Sequence, residues 1–279
     1  MDALVTTDWL AGELGASDLR VVDATYLDAA LGRDPAAEYE AAHIPGAVFM
    51  NLGELRDTDS DLPMTLPSPE KFASRMQSLG LGDGSRIVLY DASPWRTAAR
   101  AWWMLRYFGA HDVAILDGGL AKWQAEGRAL ASGKEQLRHR HFTVWADAKA
   151  VRTTDQVKAA LESGDEQLLD ARSAARFTGE EPDPRPATLP GHMPGAKNLP
   201  YGALFNADGT WKQGDALRQA FAASGIDLDR PIVTTCGSGV TASVLLFGLH
   251  LLGKAGALYD GSWSEWGADP STPKTTGAA

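Results

Sequence analysis

The sequence predicts an α/β protein made of two tandem copies of one domain, each a parallel sheet flanked by helices. Two observations lead to this fold class. Short apolar segments typical of strands alternate with amphipathic segments typical of helices, which indicates parallel strands joined by helical crossovers. Four short landmarks also recur in the same order, 143 to 149 residues apart, so the second half of the chain repeats the first.

The landmarks define the register of the repeat. Each first-half segment has a second-half counterpart: Val21–Ala24 recurs as Leu168–Ala171, His43–Ala47 as His192–Ala196, Ile87–Asp91 as Ile232–Cys236, and Asp117–Gly119 as Asp260–Ser262. A length of 279 residues accommodates two ordinary domains. We therefore expect one domain over residues 1–135, a second over 150–279 and a linker over about 136–149.

The apolar segments predict three strands in each half. These are Leu19–Ala24, Arg86–Asp91 and Val113–Leu116 in the first half, and Gln167–Asp170, Pro231–Thr235 and Ala257–Tyr259 in the second. Amphipathic stretches such as Pro69–Leu79 and Thr97–Phe108 predict helices between them. The tail that follows Ala268 contains no such pattern and is expected to be frayed.

Composition excludes several classes of function. The formal net charge is −10 and no long basic run is present, which argues against a nucleic-acid partner. The N-terminus lacks the basic and apolar regions of a signal peptide, and the longest apolar segment is too short to span a membrane. The single cysteine excludes an intrachain disulfide, and no histidine spacing resembles a metal site. A cytoplasmic protein without membrane partner or metal is expected.

The cysteine stands in the most informative segment of the chain. Cys236 follows an apolar strand and precedes a strongly apolar helix that begins near Thr241, with Gly237, Ser238 and Gly239 in the intervening loop. Ligands of open α/β sheets bind at this carboxyl edge. Both glycines permit positive φ, so successive N–H groups can surround an anion, and the positive helix end adds to the effect. The loop therefore favours a thiolate, which is the nucleophilic form of cysteine.

The Cys-Gly-Ser-Gly-Val-Thr-Ala loop at 236–242 resembles the active-site loop of the rhodanese family, and in particular its 3-mercaptopyruvate sulfurtransferase branch. The duplicated halves and both His-x-Pro-Gly-Ala segments agree, so the resemblance covers nearly all of residues 5–267. It implies two tandem rhodanese-like domains and a persulfide on Cys236. Related dual-specificity phosphatases need an arginine six residues after the cysteine, where this chain has Ala242, so that enzyme class is disfavoured.

The resemblance also assigns roles to individual residues. Arg176 and Arg185 match two substrate-binding arginines of the branch, and guanidinium groups suit the planar carboxylate of a 2-oxo acid. Without the resemblance, the same arginines are explained equally well as surface residues that balance the negative charges of Glu180, Glu181 and Asp183. Cys236 and Ser238 are the expected catalytic residues. The expected substrate-binding set comprises both arginines and the loop residues Gly237, Gly239, Val240 and Thr241.

The first half has Asp91 in the place of Cys236. A carboxylate cannot accept sulfane sulfur, so we expect this half to be catalytically silent. Two further segments of the first half, residues 48–53 and 64–67, depart from the branch pattern that supplies a proton relay to Ser238. These departures leave open the choice between 3-mercaptopyruvate and thiosulfate as donor.

The expected reaction is a double displacement through a Cys236 persulfide. Cyanide, a small thiol or thioredoxin would then accept the outer sulfur, and no cofactor is implied. Two alternatives to a mercaptopyruvate-specific enzyme remain at this point. One is a rhodanese that prefers thiosulfate, and the other is a persulfide carrier that delivers sulfur to a partner protein.

Overall fold

The computed structural model describes residues 1–185 and 187–278, and the chain divides into two units. The first unit consists of Met1–Thr58, Leu66–Asp147 and Ala207–Trp211. The second consists of Asp59–Thr65, Ala148–Asn206 and the chain from Lys212 onward. Each unit contains one five-stranded sheet in which every pairing is parallel.

The first sheet has the strand order β1-β5-β4-β2-β3, which places β4 at its centre. Its strands are β1 (Leu4–Val5), β2 (Leu19–Asp23), β3 (Ala47–Phe49), β4 (Arg86–Tyr90) and β5 (Val113–Leu116). The helices of this unit are α1 (Thr7–Glu13), α2 (Pro35–Ala41), α3 (Pro69–Ser78), α4 (Ala98–Tyr107) and α5 (Gly119–Ala125). At the start of α3, the Ser68 hydroxyl accepts the N–H of Lys71 at 3.2 Å, and Pro69 occupies the first helical turn.

The second sheet repeats this topology in the order β6-β10-β9-β7-β8, with β9 at its centre. Its strands are β6 (Val151–Arg152), β7 (Gln167–Asp170), β8 (Lys197–Asn198), β9 (Ile232–Thr235) and β10 (Ala257–Tyr259). Its helices are α6 (Thr154–Ser163), α7 (Ala174–Thr178), α8 (Gly214–Ala223), α9 (Ala242–Leu251) and α10 (Ser262–Trp266). The predicted fold class, two tandem parallel α/β sheets, is confirmed.

The two His-x-Pro-Gly-Ala segments have a structural role in both units. The Nδ1 of His43 donates to the carbonyl of Tyr39 at 2.8 Å, and its ring stacks on that of Tyr39. His192 forms the same pair of contacts with Phe177. Both histidines are buried, so each joins the core to the backbone that leads into β3 or β8.

The C-terminal tail is ordered by backbone hydrogen bonds, so the prediction of a frayed tail was wrong. Thr275 forms an antiparallel bridge with His192, and the N–H of Gly277 donates to the carbonyl of Thr178 at 2.8 Å. The first unit contains the equivalent bridge between His43 and Ala131. The tail therefore pairs with the second unit in the way that Ala131 pairs with the first.

The segment proposed as a linker also makes specific contacts with the first unit. Phe142 is buried, the N–H of Thr143 donates to Asp83 at 2.9 Å, and the N–H of Trp145 donates to the carbonyl of Phe108 at 3.1 Å. These bonds attach an extended segment to the unit without forming a helix or a named strand. Among the described residues, no helix has the length and apolar character needed to cross a membrane.

Candidate active site

The cysteine lies at the carboxyl end of β9, the central strand of the second sheet. Cys236 is only 2% exposed, and the loop that follows leads directly into α9 at Ala242. Gly239 adopts a φ of +79°, and its carbonyl accepts the hydroxyl of Ser243 at 3.0 Å. The strand and the helix thus hold a short loop at the edge where parallel sheets bind their ligands.

The start of α10 supports the same loop from a second direction. The N–H groups of Trp263 and Ser264 donate to the carbonyls of Cys236 at 3.0 Å and of Gly237 at 2.9 Å. The hydroxyl of Ser264 donates to the Gly237 carbonyl as well, at 2.5 Å. These bonds fix the backbone on both sides of the sulfur-bearing residue.

Ser262 adds a third contact in an unusual backbone conformation. Its φ is +52°, which lies in a region that residues other than glycine rarely occupy. The Ser262 hydroxyl accepts the N–H of Cys236 at 3.4 Å and donates to the carbonyl of Tyr259 at 2.8 Å. Sequence reasoning missed Ser262 and Ser264, although both lie in or beside the repeated Asp260–Ser262 landmark that indicated this region.

Both predicted arginines lie against the cysteine loop. A β-carbon built on Gly237 would lie 3.1 Å from Nη1 of Arg185 and 3.2 Å from Nη2 of Arg176. Arg176 reaches this place from α7, and Arg185 from the loop that follows that helix. The two guanidinium groups therefore meet beside the residue that follows the cysteine, where they create positive potential.

Gly237 fits this close approach for a reason other than the one predicted. Its φ is not positive, whereas that of Gly239 is, so the expectation of a special backbone conformation holds for Gly239 alone. What the position requires is the missing side chain, because a β-carbon there would crowd both guanidinium groups.

The other predicted site residues take different positions. Ser238 is half-buried, and its hydroxyl bonds no residue in the described part of the chain. The Val240 residue is 7% exposed and belongs to the apolar core, while the Thr241 carbonyl accepts the N–H of Val244 in the first turn of α9. The structure thus brings Cys236, Gly237 and the arginines together, while Val240 is buried.

A neighbouring arginine, Arg172, has a structural role. Arg172 and Asp170 are both buried, and the Nη2 and Nε of Arg172 donate to the Asp170 carboxylate at 2.7 and 2.9 Å. The guanidinium also lies over the ring of Trp263 at 4.5 Å. Trp263 is 1% exposed, so it supports the site from within the core.

The first unit carries a different residue at the equivalent point. Asp91 follows the central strand β4, and its carbonyl accepts the N–H of Leu120 as that of Cys236 accepts the N–H of Trp263. The Asp91 carboxylate accepts the N–H groups of Ser93 at 2.9 Å and Ala98 at 2.8 Å. Burial raises the pKa of this carboxyl to about 6, against the opposing effect of those two hydrogen bonds.

Comparison with known proteins agrees with this architecture. The Rhodanese-like domain family matches residues 6–126 and 153–269. The chain is 40% identical over 271 residues to a Homo sapiens protein named 3-mercaptopyruvate sulfurtransferase, covering 95% of this chain and 91% of the relative. It is 38% identical over 294 residues to an Arabidopsis thaliana protein named thiosulfate/3-mercaptopyruvate sulfurtransferase 1, mitochondrial, covering 98% and 78%.

A solved structure gives the same result. The crystal structure of SseA from Escherichia coli, described as a 3-mercaptopyruvate sulfotransferase with the rhodanese fold, matches with a TM-score of 0.87. The sequence identity is 39%, and the match covers 94% of this chain and 99% of the other.

Proposed function

This chain belongs to the rhodanese family, and we propose that it is a sulfurtransferase that carries sulfur as a persulfide on Cys236. The observation that carries the proposal is the meeting of Arg176 and Arg185 beside Gly237, the residue that follows the cysteine. An anionic sulfur donor bound by these guanidinium groups would be held next to the nucleophile. The groups that bind the donor and the nucleophile that attacks it are thus arranged as a group-transfer reaction requires.

The first half-reaction forms the persulfide. The Cys236 thiolate attacks the sulfur of 3-mercaptopyruvate, so that an S–S bond forms and the C–S bond breaks. The electron pair of the broken bond leaves with the carbon skeleton as the enolate of pyruvate, which takes up one proton. With thiosulfate, the S–S bond of the donor breaks instead and sulfite leaves with the electron pair.

The second half-reaction regenerates the thiolate. An acceptor thiolate, cyanide or reduced thioredoxin attacks the outer sulfur, and the bonding electron pair returns to the sulfur of Cys236. The loop backbone, which Trp263 and Ser264 hold in place, is suited to stabilise the persulfide anion through its N–H groups. The identity of the acceptor is part of the proposal.

We propose 3-mercaptopyruvate as the preferred donor. Its carboxylate is planar and can be bound by two parallel N–H groups of a guanidinium, whereas thiosulfate is tetrahedral. The loop residues 237–241 also include no basic side chain that would favour a compact dianion. Thiosulfate is the alternative donor. The cytoplasmic location stays a prediction, since one relative is named as mitochondrial.

The test measures steady-state sulfur transfer to dithiothreitol or cyanide from each donor, together with the intact mass after donor addition. We expect faster turnover with 3-mercaptopyruvate and a mass gain of one sulfur atom. Faster turnover with thiosulfate would contradict the donor assignment alone. Stoichiometric loading without turnover would favour a persulfide carrier, and no added sulfur would contradict the proposal.

A further inference from the structure

We infer that Asp183 is the positioning residue that holds Arg176 and Arg185 together as one binding site for the carboxylate of the donor. The inference rests on the proposed function and deepens it. Nothing in the sequence distinguished Asp183 from Glu180 and Glu181, the other two acids of the same segment. The structure distinguishes them clearly.

A single carboxylate contacts both arginines. One oxygen of Asp183, Oδ2, accepts Nη2 of Arg176 at 2.5 Å. The other oxygen, Oδ1, accepts both Nη1 and the backbone N–H of Arg185 at 3.1 Å. Each carboxylate oxygen therefore fixes one guanidinium group, and the two groups cannot move independently while both ion pairs are present.

The exposure of the three side chains indicates which of them faces a ligand. The Asp183 side chain is 1% exposed, while those of Arg176 and Arg185 are 22% and 30% exposed. The carboxylate is covered and the cations are open to solvent. The Nη2 of Arg185 bonds no residue in the described part of the chain, although it lies 3.2 Å from the β-carbon position of Gly237. The arrangement leaves guanidinium donors for an external acceptor.

The charge balance also suits an anionic donor. Burial alone would raise the pKa of Asp183, but the hydrogen bonds and the positive charges of the two arginines outweigh it and hold that pKa below its ordinary value. Asp183 is therefore ionised at neutral pH, and the cluster of one acid and two arginines has a net charge of +1. One negative charge removes the repulsion between the two cations and still leaves the cluster attractive to a carboxylate.

The backbone around this cluster is fixed at both ends. At one end, the carbonyl of Thr178 accepts the N–H of Gly277 from the C-terminal tail. At the other, Leu189 exchanges hydrogen bonds with the Gly267 carbonyl and the indole N–H of Trp263. Hydrogen bonds thus fix both ends of the loop that carries Asp183 and Arg185, and Arg176 lies on α7 just before this loop.

The experiment compares Asp183→Asn with Glu181→Gln, which removes the same charge from an exposed acid two residues away. In Asp183→Asn the guanidinium groups lose their common partner and repel each other. We expect the KM for 3-mercaptopyruvate to rise about tenfold with kcat kept within about threefold. Glu181→Gln should keep the wild-type KM. An unchanged or lower KM in Asp183→Asn would overturn the inference.

Asp183→Glu is the control for an effect of misfolding in Asp183→Asn. It retains the charge, so we expect a melting temperature like that of the wild type and a KM within about threefold of it. If Asp183→Asn unfolds, the inference still predicts that Asp183→Glu raises the KM for 3-mercaptopyruvate by much less than tenfold relative to the wild type. A rise in the KM of folded Asp183→Glu as large as that of Arg176→Lys would count against it.

A second readout needs no turnover. Alkylation of Cys236 by anionic iodoacetate and neutral iodoacetamide gives a rate ratio that reports on the positive charge beside the thiol. If Asp183 positions the arginines, this ratio falls in Asp183→Asn while the iodoacetamide rate stays constant. A ratio that rises would mean that Asp183 only neutralises charge, and a constant ratio would mean that Asp183 has no effect on the arginines; either result would overturn the inference.

The arginine variants separate the two proposals. If Arg176→Lys and Arg185→Lys raise the KM and Asp183→Asn does not, only the role of Asp183 fails. If the arginine variants leave the KM unchanged, the proposed binding site fails. The alkylation ratio then still decides whether Asp183 positions the two cations.

Discussion

The loop after β4 and the loop after β9 occupy the same place in two copies of one fold but are closed in different ways. In both, the carbonyl of the first loop residue accepts an N–H from the start of a helix, that of Leu120 or Trp263. The residue before that donor has a left-handed conformation in both, with φ of +58° at Gly119 and +52° at Ser262. The backbone frame is therefore common to the two units.

The difference lies in the residue that the frame surrounds. The Asp91 carboxylate accepts two N–H groups of its own loop, from Ser93 and Ala98, so the first unit supplies its own anion. The sulfur of Cys236 accepts no hydrogen bond from the described residues. The same frame thus surrounds a hydrogen-bonded carboxylate in one unit and a thiol without such bonds from the described residues in the other.

The largest effect is expected from substituting the two residues that the frame surrounds, Cys236 and Asp91. Cys236→Ser should lower sulfur transfer by at least about a thousandfold and abolish the mass gain, because the hydroxyl is a far weaker nucleophile. Asp91→Cys added to this variant should restore nothing, since Pro94 and Trp95 replace the short glycine loop. Recovery of transfer in the double variant, measured with 3-mercaptopyruvate, would show that the frame alone is sufficient.

The next effect concerns the left-handed position. A β-carbon on Gly119 would lie 2.7 Å from the carbonyl oxygen of Asp91, and its φ is unfavourable for any other residue. Gly119→Ala should therefore cost about 2 kcal/mol, or about 4 to 8 °C in Tm. Ser262→Gly, the matched change in the second unit, should stay within about 1 kcal/mol because relief of strain offsets the lost hydrogen bonds. Equal Tm shifts would show that the two positions are equivalent.

A smaller effect is expected at the residue after the cysteine. In Gly237→Ala, the new β-carbon would approach both arginines within 3.2 Å, and their displacement should cost about 1 to 2 kcal/mol of donor binding. This corresponds to a rise in KM of about 5- to 30-fold. The counterpart in the first unit is already Ala92, so Ala92→Gly should leave KM unchanged. Steady-state kinetics of both variants measures these KM values, and an unchanged KM in Gly237→Ala would contradict the prediction.

The smallest effect is a pH dependence from Asp91. Its folded pKa of about 6 lies above its ordinary value of 3.8, so this group stabilises the fold at low pH and loses that effect as pH rises through 6. Between pH 7.5 and pH 5 the wild type should gain about 1 kcal/mol in the free energy of unfolding relative to Asp91→Asn. Urea denaturation at both pH values measures this difference, and parallel curves for the two proteins would contradict it.

The six central strands were predictable from sequence, while all four edge strands were missed. Each predicted strand is a run of three to six residues that lies between two neighbouring strands, and its bounds agree within one residue, as for Arg86–Tyr90. The edge strands β1, β3, β6 and β8 have only two or three residues and pair on one side alone. Such short segments carry no periodic pattern, because tertiary pairing and not local composition makes them strands.

The sequence by itself determined the duplication, the fold class and the place of Cys236, while the prediction of Arg176 and Arg185 came from the resemblance to the rhodanese family. The first three follow from repeated motifs and from apolar runs, which depend on residues close together in the chain. The tertiary structure alone decided that Asp183 is the acid between the arginines, that Ser262 and Ser264 hold the cysteine loop, and that the tail pairs with His192. The contacts of Ser262, Ser264 and the tail join segments distant in sequence, whereas the choice of Asp183 among three neighbouring acids depends on how the loop after α7 folds.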